Sequence, residues 1–442
     1  MRLSPLFFKA LKDPITKRSL SVLFLRVLGS GLQILILLLL TNYASEELVG
    51  QYNFFNSTIL LLSSLTLLGM NTSFLQFVGK FEAYGSFGKI VSLYKRKLIL
   101  LVSSYLLVIV TYIILSNGFE IEYFQDIQLM SVLDKALITL LPFSIAMLNF
   151  EVLRAFDMLY ISELFRNIGR FGLFFIFLCV LILFDKISIV LDIFVISILI
   201  LAIFSTILIV FKLMKIKQVY VKEKTSFIEI IKVSFPMSFS LISLLIMQSI
   251  DVYTLEYYYG FEIIAYYGIA VKISAIVGII LTSINATIAP KISELYFKKD
   301  KKTLRLIIKK ATLLNATLSL PLIILIIFFS GQVFRLFGAN YILAQNALNI
   351  ILIGQIVNVL CGPVGLYLNM TSKQFFLQKT LVFALVINII TNFILIPKYE
   401  MLGAAISTAF SFIFWNIIGV IYVIKTDRVN LSVFNLLGGF IK

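Results

Sequence analysis

The 442-residue chain contains no histidine, one tryptophan, two cysteines and eight prolines. Without histidine, imidazole acid–base catalysis and imidazole metal ligation are excluded. Cys179 and Cys361 stand far apart in apolar stretches, with neither zinc nor redox spacing. Both read as small packing residues, and neither a metal nor a cofactor is expected. Charge is also scarce. Asp, Glu, Lys and Arg make up 14% of the residues, against about 25% in soluble domains. Hydrophobic residues make up 60% and mean hydropathy is +1.03. Such a chain has too little polar surface to wrap a water-facing globule, so lipid is its solvent. No cleavable leader is expected either. Residues 1–20 mix Leu6, Phe7, Phe8 and Leu11 with Lys9, Lys12, Lys17 and Arg18, without a continuous apolar region or a small-residue cleavage site. They read as an interfacial helix on the cytoplasmic leaflet.

What is present is a succession of long apolar runs. A bilayer core takes about 20 apolar residues per helix. That criterion places spans at 20–43, 54–78, 98–116, 132–153, 167–184, 188–211, 233–255, 263–289, 311–330, 342–368, 380–396 and 402–424. Barrel strands are shorter and alternate. The fold class is therefore an all-α polytopic membrane protein of about 12 spans.

The net charge of +16 could suggest a nucleic-acid partner, but its distribution argues otherwise. With a cytoplasmic N-terminus, 32 of the 38 Lys and Arg residues fall in cytoplasmic segments. The outer loops hold Lys186, Arg335 and Lys398, and Arg26, Lys135 and Lys272 lie within spans. One missed helix would reverse every later loop, so the bias supports an even span count with both termini cytoplasmic. The charge then matches anionic headgroups, and no nucleic acid is expected. The outer loops are short and acidic (Glu46, Glu47, Glu120, Glu122, Asp126, Glu256, Glu262). They leave no room for an outer active-site domain.

Six spans lie on each side of a hydrophilic linker at 212–232, which gives an N-terminal lobe of 1–215 and a C-terminal lobe of 216–442. A shift of 215 residues aligns Tyr43 with Tyr258, Glu47 with Glu262, Tyr52 with Tyr267 and Lys95 with Lys310. Two six-helix bundles related by a parallel pseudo-two-fold repeat are expected, with a substrate site between the halves near the midplane. Pro142 in span 4 and Gly362-Pro363 in span 10 are hinge candidates.

The stretch from Phe235-Pro236 through Asp251, Tyr267 to Lys272, Ala289-Pro290 and the basic Lys298-Lys299-Asp300-Lys301 loop resembles Wzx-type flippases. These belong to the multidrug/oligosaccharidyl-lipid/polysaccharide exporter superfamily. LFGANYILA at 336–344, NIITNFILIPKYEMLGAAIST at 388–408 and the first hairpin are similar to further landmarks of that family. One departure is Tyr399-Glu400, where Tyr-Gly is common. The resemblance implies a secondary transporter and not an enzyme. Its expected cargo is undecaprenyl-pyrophosphate-linked oligosaccharide for O-antigen or capsule, moved from the inner to the outer leaflet of a bacterial cytoplasmic membrane. It also implies proton or sodium coupling, contact with membrane lipids, and a polysaccharide polymerase and chain-length protein as partners. The chain lacks the phosphate-binding loop of an ATPase. A drug or cation antiporter of the same superfamily is the alternative, followed by a membrane glycan polymerase.

Charges within spans narrow the site. Arg26 lies some two turns inside span 1, and a guanidinium grips phosphate oxygens in a planar fork. Arg26 and Lys272 are the expected pyrophosphate or anion ligands. Asp251 and Lys272 differ in expected depth by roughly 6 Å, so Asp251 is either the coupling acid or an ion-pair partner of Lys272. Glu151, Arg154, Arg166 and Arg170 are cytoplasmic gate candidates. Gln33, Asn56, Asn71, Asn149, Gln248, Asn285, Gln355 and Asn358 either glue helices together or offer polar groups to a wet cavity.

Overall fold

The computed structural model describes residues 14–83, 89–118, 126–215 and 226–433. Residues 1–13, most of the expected interfacial helix, lie outside these, as do residues 216–225 of the 212–232 linker and the acidic pair Glu120 and Glu122. Among the described residues there is helix and turn, with no strand.

The helices are α1 (Pro14–Tyr43), α2 (Glu46–Leu67), α3 (Met70–Ala83), α4 (Lys89–Gly118), α5 (Ile127–Ala155), α6 (Leu159–Glu163), α7 (Arg170–Leu183) and α8 (Val190–Met214). They continue as α9 (Phe227–Tyr259), α10 (Phe261–Phe297), α11 (Lys301–Phe337), α12 (Gln345–Cys361), α13 (Val364–Met370) and α14 (Gln374–Asp427). A π-helical turn, Leu164–Gly169, joins α6 to α7. Nine helices in the described residues are long and apolar enough to span, or ten if the bent pair α2–α3 counts as one span. The 54 residues of α14 would reach roughly 80 Å as one rod, far beyond a core of about 30 Å. It breaks at Glu400, where φ is 51° and ψ is −131°, and so supplies two spans. With the 33-residue α9, the total agrees with the twelve runs read from the sequence. The chain is an all-α polytopic membrane protein.

Two compact units emerge: Met1–Leu39 with Phe55–Ile242, and Leu40–Phe54 with Ser243–Lys442. In the first, α3, α4 and α5 bury Phe74, Phe77, Leu93, Leu148 and Val152 in one apolar cluster. In the second, α10, α11, α13 and α14 enclose Ile292, Ile308, Tyr367, Leu381 and Val423.

The two proline sites behave differently. Pro142 sits inside an uninterrupted α5, so it does not break that helix. Gly362 has φ +76°, and a Cβ there would stand 2.5 Å from the Leu431 carbonyl oxygen. With Pro363 it separates α12 from α13. The α2–α3 bend of 45° follows positive φ at Leu68 and Gly69. There Lys97, expected in a cytoplasmic loop, is instead fully buried. Its Nζ donates to the Met70 carbonyl at 2.6 Å and to Ser73 Oγ at 2.8 Å. It also lies 5.2 Å from the ring centroids of Phe74 and Phe77. The ammonium is thus held by a carbonyl, a hydroxyl and two ring faces at the start of α3.

Candidate functional site

In the first unit, α1 carries Arg26 past apolar Phe24 and Leu25 to the π-helical segment. Its Nε and Nη2 donate to Glu163 Oε2 and Oε1, each at 3.2 Å. The Arg26 side chain is 35% exposed and that of Glu163 is 1% exposed. Asn167 Nδ2 also donates to Glu163 Oε2, at 3.0 Å. The guanidinium therefore meets a carboxylate in the two-pronged geometry that it would offer to a phosphate. A second pair follows on the same segment. Arg166 Nη2 reaches Glu151 at 2.6 Å, and Arg154 lies 3.8 Å from the same carboxylate. Arg170 donates to Asn56 Oδ1 at 3.0 Å and lies against the Phe143 and Phe171 rings. Glu151, Arg154 and Arg166 thus form one charged cluster, whereas Arg170 reaches Asn56 on α2 as a helix-to-helix contact. Asn149 is fully buried between Tyr94, Ser205 and Thr206. Asn71 accepts from neighbouring Thr72, and Gln33 is partly exposed.

In the second unit, Asp251 is 2% exposed. It accepts from the Tyr267 hydroxyl at 2.6 Å, from Asn392 Nδ2 at 2.6 Å and from the Thr408 hydroxyl. Helices α9, α10 and both arms of α14 therefore converge on one carboxylate. The expected Asp251–Lys272 ion pair does not form, because Tyr267 takes that place on α10. Lys272 follows five residues later, roughly 140° around the helix, on another face. A recess of about 360 Å³ opens beside the carboxylate, lined by Gln248, Asp251, Tyr267, Ser274, Gln355 and Thr408 among others. Gln248 and Gln355 thus reach the same space as Asp251, and Asn358 joins through a 3.3 Å bond to Gln355. Lys272 does not line this recess. Asn285 Oδ1 is buried with no hydrogen-bond partner among the described residues.

A family model described as polysaccharide biosynthesis protein matches residues 15–296, more than half of the chain. The chain belongs to this family. A second model, MatE, matches residues 236–394. Over 164 residues the chain is 29% identical to a putative O-antigen transporter of Shigella flexneri, covering 37% of this chain and 38% of that protein. Over 175 residues it is 31% identical to an uncharacterized membrane protein of Methanocaldococcus jannaschii, covering 39% and 34%. The matches thus span little more than a third of the length of these relatives. Among solved structures, the inward closed conformation of the lipid II flippase MurJ shares its fold, with a TM-score of 0.71 over 92% of this chain and 87% of that one at 16% identity. The matches place the family member in the multidrug/oligosaccharidyl-lipid/polysaccharide exporter superfamily.

For this family member, sequence reasoning missed Glu163 by assigning it to a loop before span 5. Its signal was a lone acid in SELFRNIGR, three residues before Arg166. It also missed Asn392 and Thr408. Asn388 and Asn392 form an i,i+4 pair in an apolar helix, a spacing that puts both on one face.

Proposed function

We propose that the protein moves a lipid-linked oligosaccharide, carried on undecaprenyl pyrophosphate, from the inner to the outer leaflet of a bacterial cytoplasmic membrane by alternating access. The observation that carries this reading is the Arg26 fork. It is a guanidinium within an apolar helix, one-third exposed, whose partner among the described residues is the Glu163 carboxylate. Intramembrane charges are costly and mark substrate or ion pathways, and a planar fork suits pyrophosphate oxygens. Family membership supports the substrate class, and so does the putative O-antigen transporter among its relatives. Asp251, buried among hydroxyls and an amide beside a polar recess, is the acid that takes up the coupling proton or cation. Lys272 serves as an auxiliary anion contact on a separate face of α10.

The test is transport by the purified protein in proteoliposomes carrying a fluorescent undecaprenyl-pyrophosphate-linked sugar in one leaflet. Protection of the probe from an impermeant quencher reports flipping. Wild-type protein accelerates the exchange, and Arg26→Gln/Glu163→Gln abolishes it while remaining folded. A folded wild-type protein that leaves this probe in place but moves a cationic dye would overturn the proposal in favour of the drug antiporter reading.

A further inference from the structure

We infer that Glu163 is a resident competitor for the Arg26 fork, surrendering it to the substrate's phosphate and taking up a proton as it does so. The inference rests on the reading of Arg26 as a phosphate ligand. Four observations support it. The two partners are unequally accessible: Arg26 keeps a third of its side chain exposed and Glu163 almost none, so an incoming anion reaches the guanidinium and not the carboxylate. The clasp is also loose. Its bonds are both 3.2 Å, whereas charge-assisted N–H···O bonds run to about 2.7–2.9 Å, and the neighbouring Arg166–Glu151 contact is 2.6 Å. The carboxylate has a second holder, since Asn167 donates to Oε2 at 3.0 Å and to the Glu163 carbonyl at 2.9 Å. It therefore stays in place when the guanidinium leaves. Lastly, Glu163 immediately precedes the π-helical turn Leu164–Gly169, a distortion often found at functional sites. The turn touches α1 closely, because a Cβ on Gly29 would stand 2.7 Å from Asn167 Cβ.

Charge decides who wins the fork. A monoanionic phospholipid headgroup offers the same single charge as Glu163 and must also displace it. A pyrophosphate brings more charge and more acceptor oxygens, so it displaces the carboxylate where a bulk phospholipid does not. The displaced carboxylate would then be buried without its counter-charge, which is unfavourable, and a proton neutralises it. Among the described residues the other charged group acting on Glu163 is Arg166 of the adjoining π turn, but Glu151 of α5 already holds Arg166. Substrate binding is therefore coupled to proton uptake, and affinity rises as pH falls.

The experiment is calorimetric titration of the full chain in detergent with farnesyl pyrophosphate and with dihexanoyl phosphatidylglycerol, across a pH series. Wild-type protein binds the pyrophosphate, rejects the phosphatidylglycerol and binds more tightly at lower pH. Glu163→Gln binds the pyrophosphate about ten-fold more tightly, in line with one charged hydrogen-bonded contact. It also gains phosphatidylglycerol binding, and its pH response is that of the probe alone. Unchanged or weaker binding with the wild-type pH response would reduce Glu163 to a structural anchor and overturn the inference. Pyrophosphate binding that survives in Arg26→Gln/Glu163→Gln would instead overturn the Arg26 reading beneath it. Should the single variant not fold, wild-type titrations in buffers of two ionisation enthalpies count the protons directly. Net uptake supports the competitor role, and none or release overturns it.

Discussion

At the scale of single residues, the buried charges make substitutions ambiguous unless partners are changed together. Arg26→Ala removes the fork but also leaves Glu163, 1% exposed, without its cation. We expect a stability loss of about 1–3 kcal/mol alongside lost transport, read as a lower monodisperse peak in size-exclusion chromatography. Arg26→Ala/Glu163→Gln should recover the peak but not export of surface glycan. Arg26→Lys should export only in part, because an ammonium cannot hold two oxygens in a plane. In the second unit, Asp251→Asn keeps an acceptor for Tyr267 and Thr408 but cannot change charge. Transport should slow and lose its dependence on an imposed proton or sodium gradient in proteoliposomes; unaltered gradient dependence would limit Asp251 to a structural role. Because Lys272 is not a partner of Asp251, the effects of Asp251→Asn and Lys272→Ala on stability should add within about 0.5 kcal/mol. Arg26 and Asp251 were legible in the sequence because each is an isolated charge in an apolar run. Their partners were not. Glu163 lies 137 positions from Arg26, and Asn392 lies 141 from Asp251, and such pairings exist only after helices pack.

At the scale of helices, the apolar runs were readable because a span has a fixed minimum length, but their interruptions were less so. Proline alone did not mark them. Pro142 lies in a continuous helix, while α2 and α3 part at Leu68-Gly69, a site without proline. Gly362-Pro363 breaks its helix because the glycine takes positive φ between the Leu431 carbonyl and Thr312. The departure at Glu400 was visible in the sequence, and the structure gives it a physical meaning. Exposed Glu400 has φ 51° and ψ −131°, a region that glycine enters without Cβ strain. Such a residue typically costs about 1–3 kcal/mol, part of which glycine returns as unfolded-chain entropy. Glu400→Gly should therefore raise the thermal midpoint of the detergent-solubilised protein without altering transport. A lowered midpoint would mean that the glutamate side chain itself stabilises the turn.

At the scale of the molecule, orientation rests on the alternation of charge across consecutive spans. Lys298, Lys299 and Lys301 sit at the turn between α10 and α11, while Glu46 and Glu47 open α2. The 37 residues of α10 extend roughly 55 Å, beyond a core of about 30 Å, so its ends emerge on opposite faces. From Glu47 to Lys299 the chain crosses on α2–α3, α4, α5, α6–α7, α8, α9 and α10, an odd number of passages. One missed or surplus span would bring the two positions to the same side. Exposed Glu47 and exposed Lys299 are therefore suited to a cysteine test, and the native Cys179 and Cys361 are half-buried and buried. An impermeant maleimide added to intact cells should label Glu47→Cys at once and Lys299→Cys only after permeabilisation, with the unsubstituted chain as background. Labelling of both positions in intact cells would break the span count. Labelling of Lys299→Cys alone would keep the count but invert the molecule, placing the Arg26 end of α1 on the outer face, where a cytoplasmically made glycolipid could not first meet it.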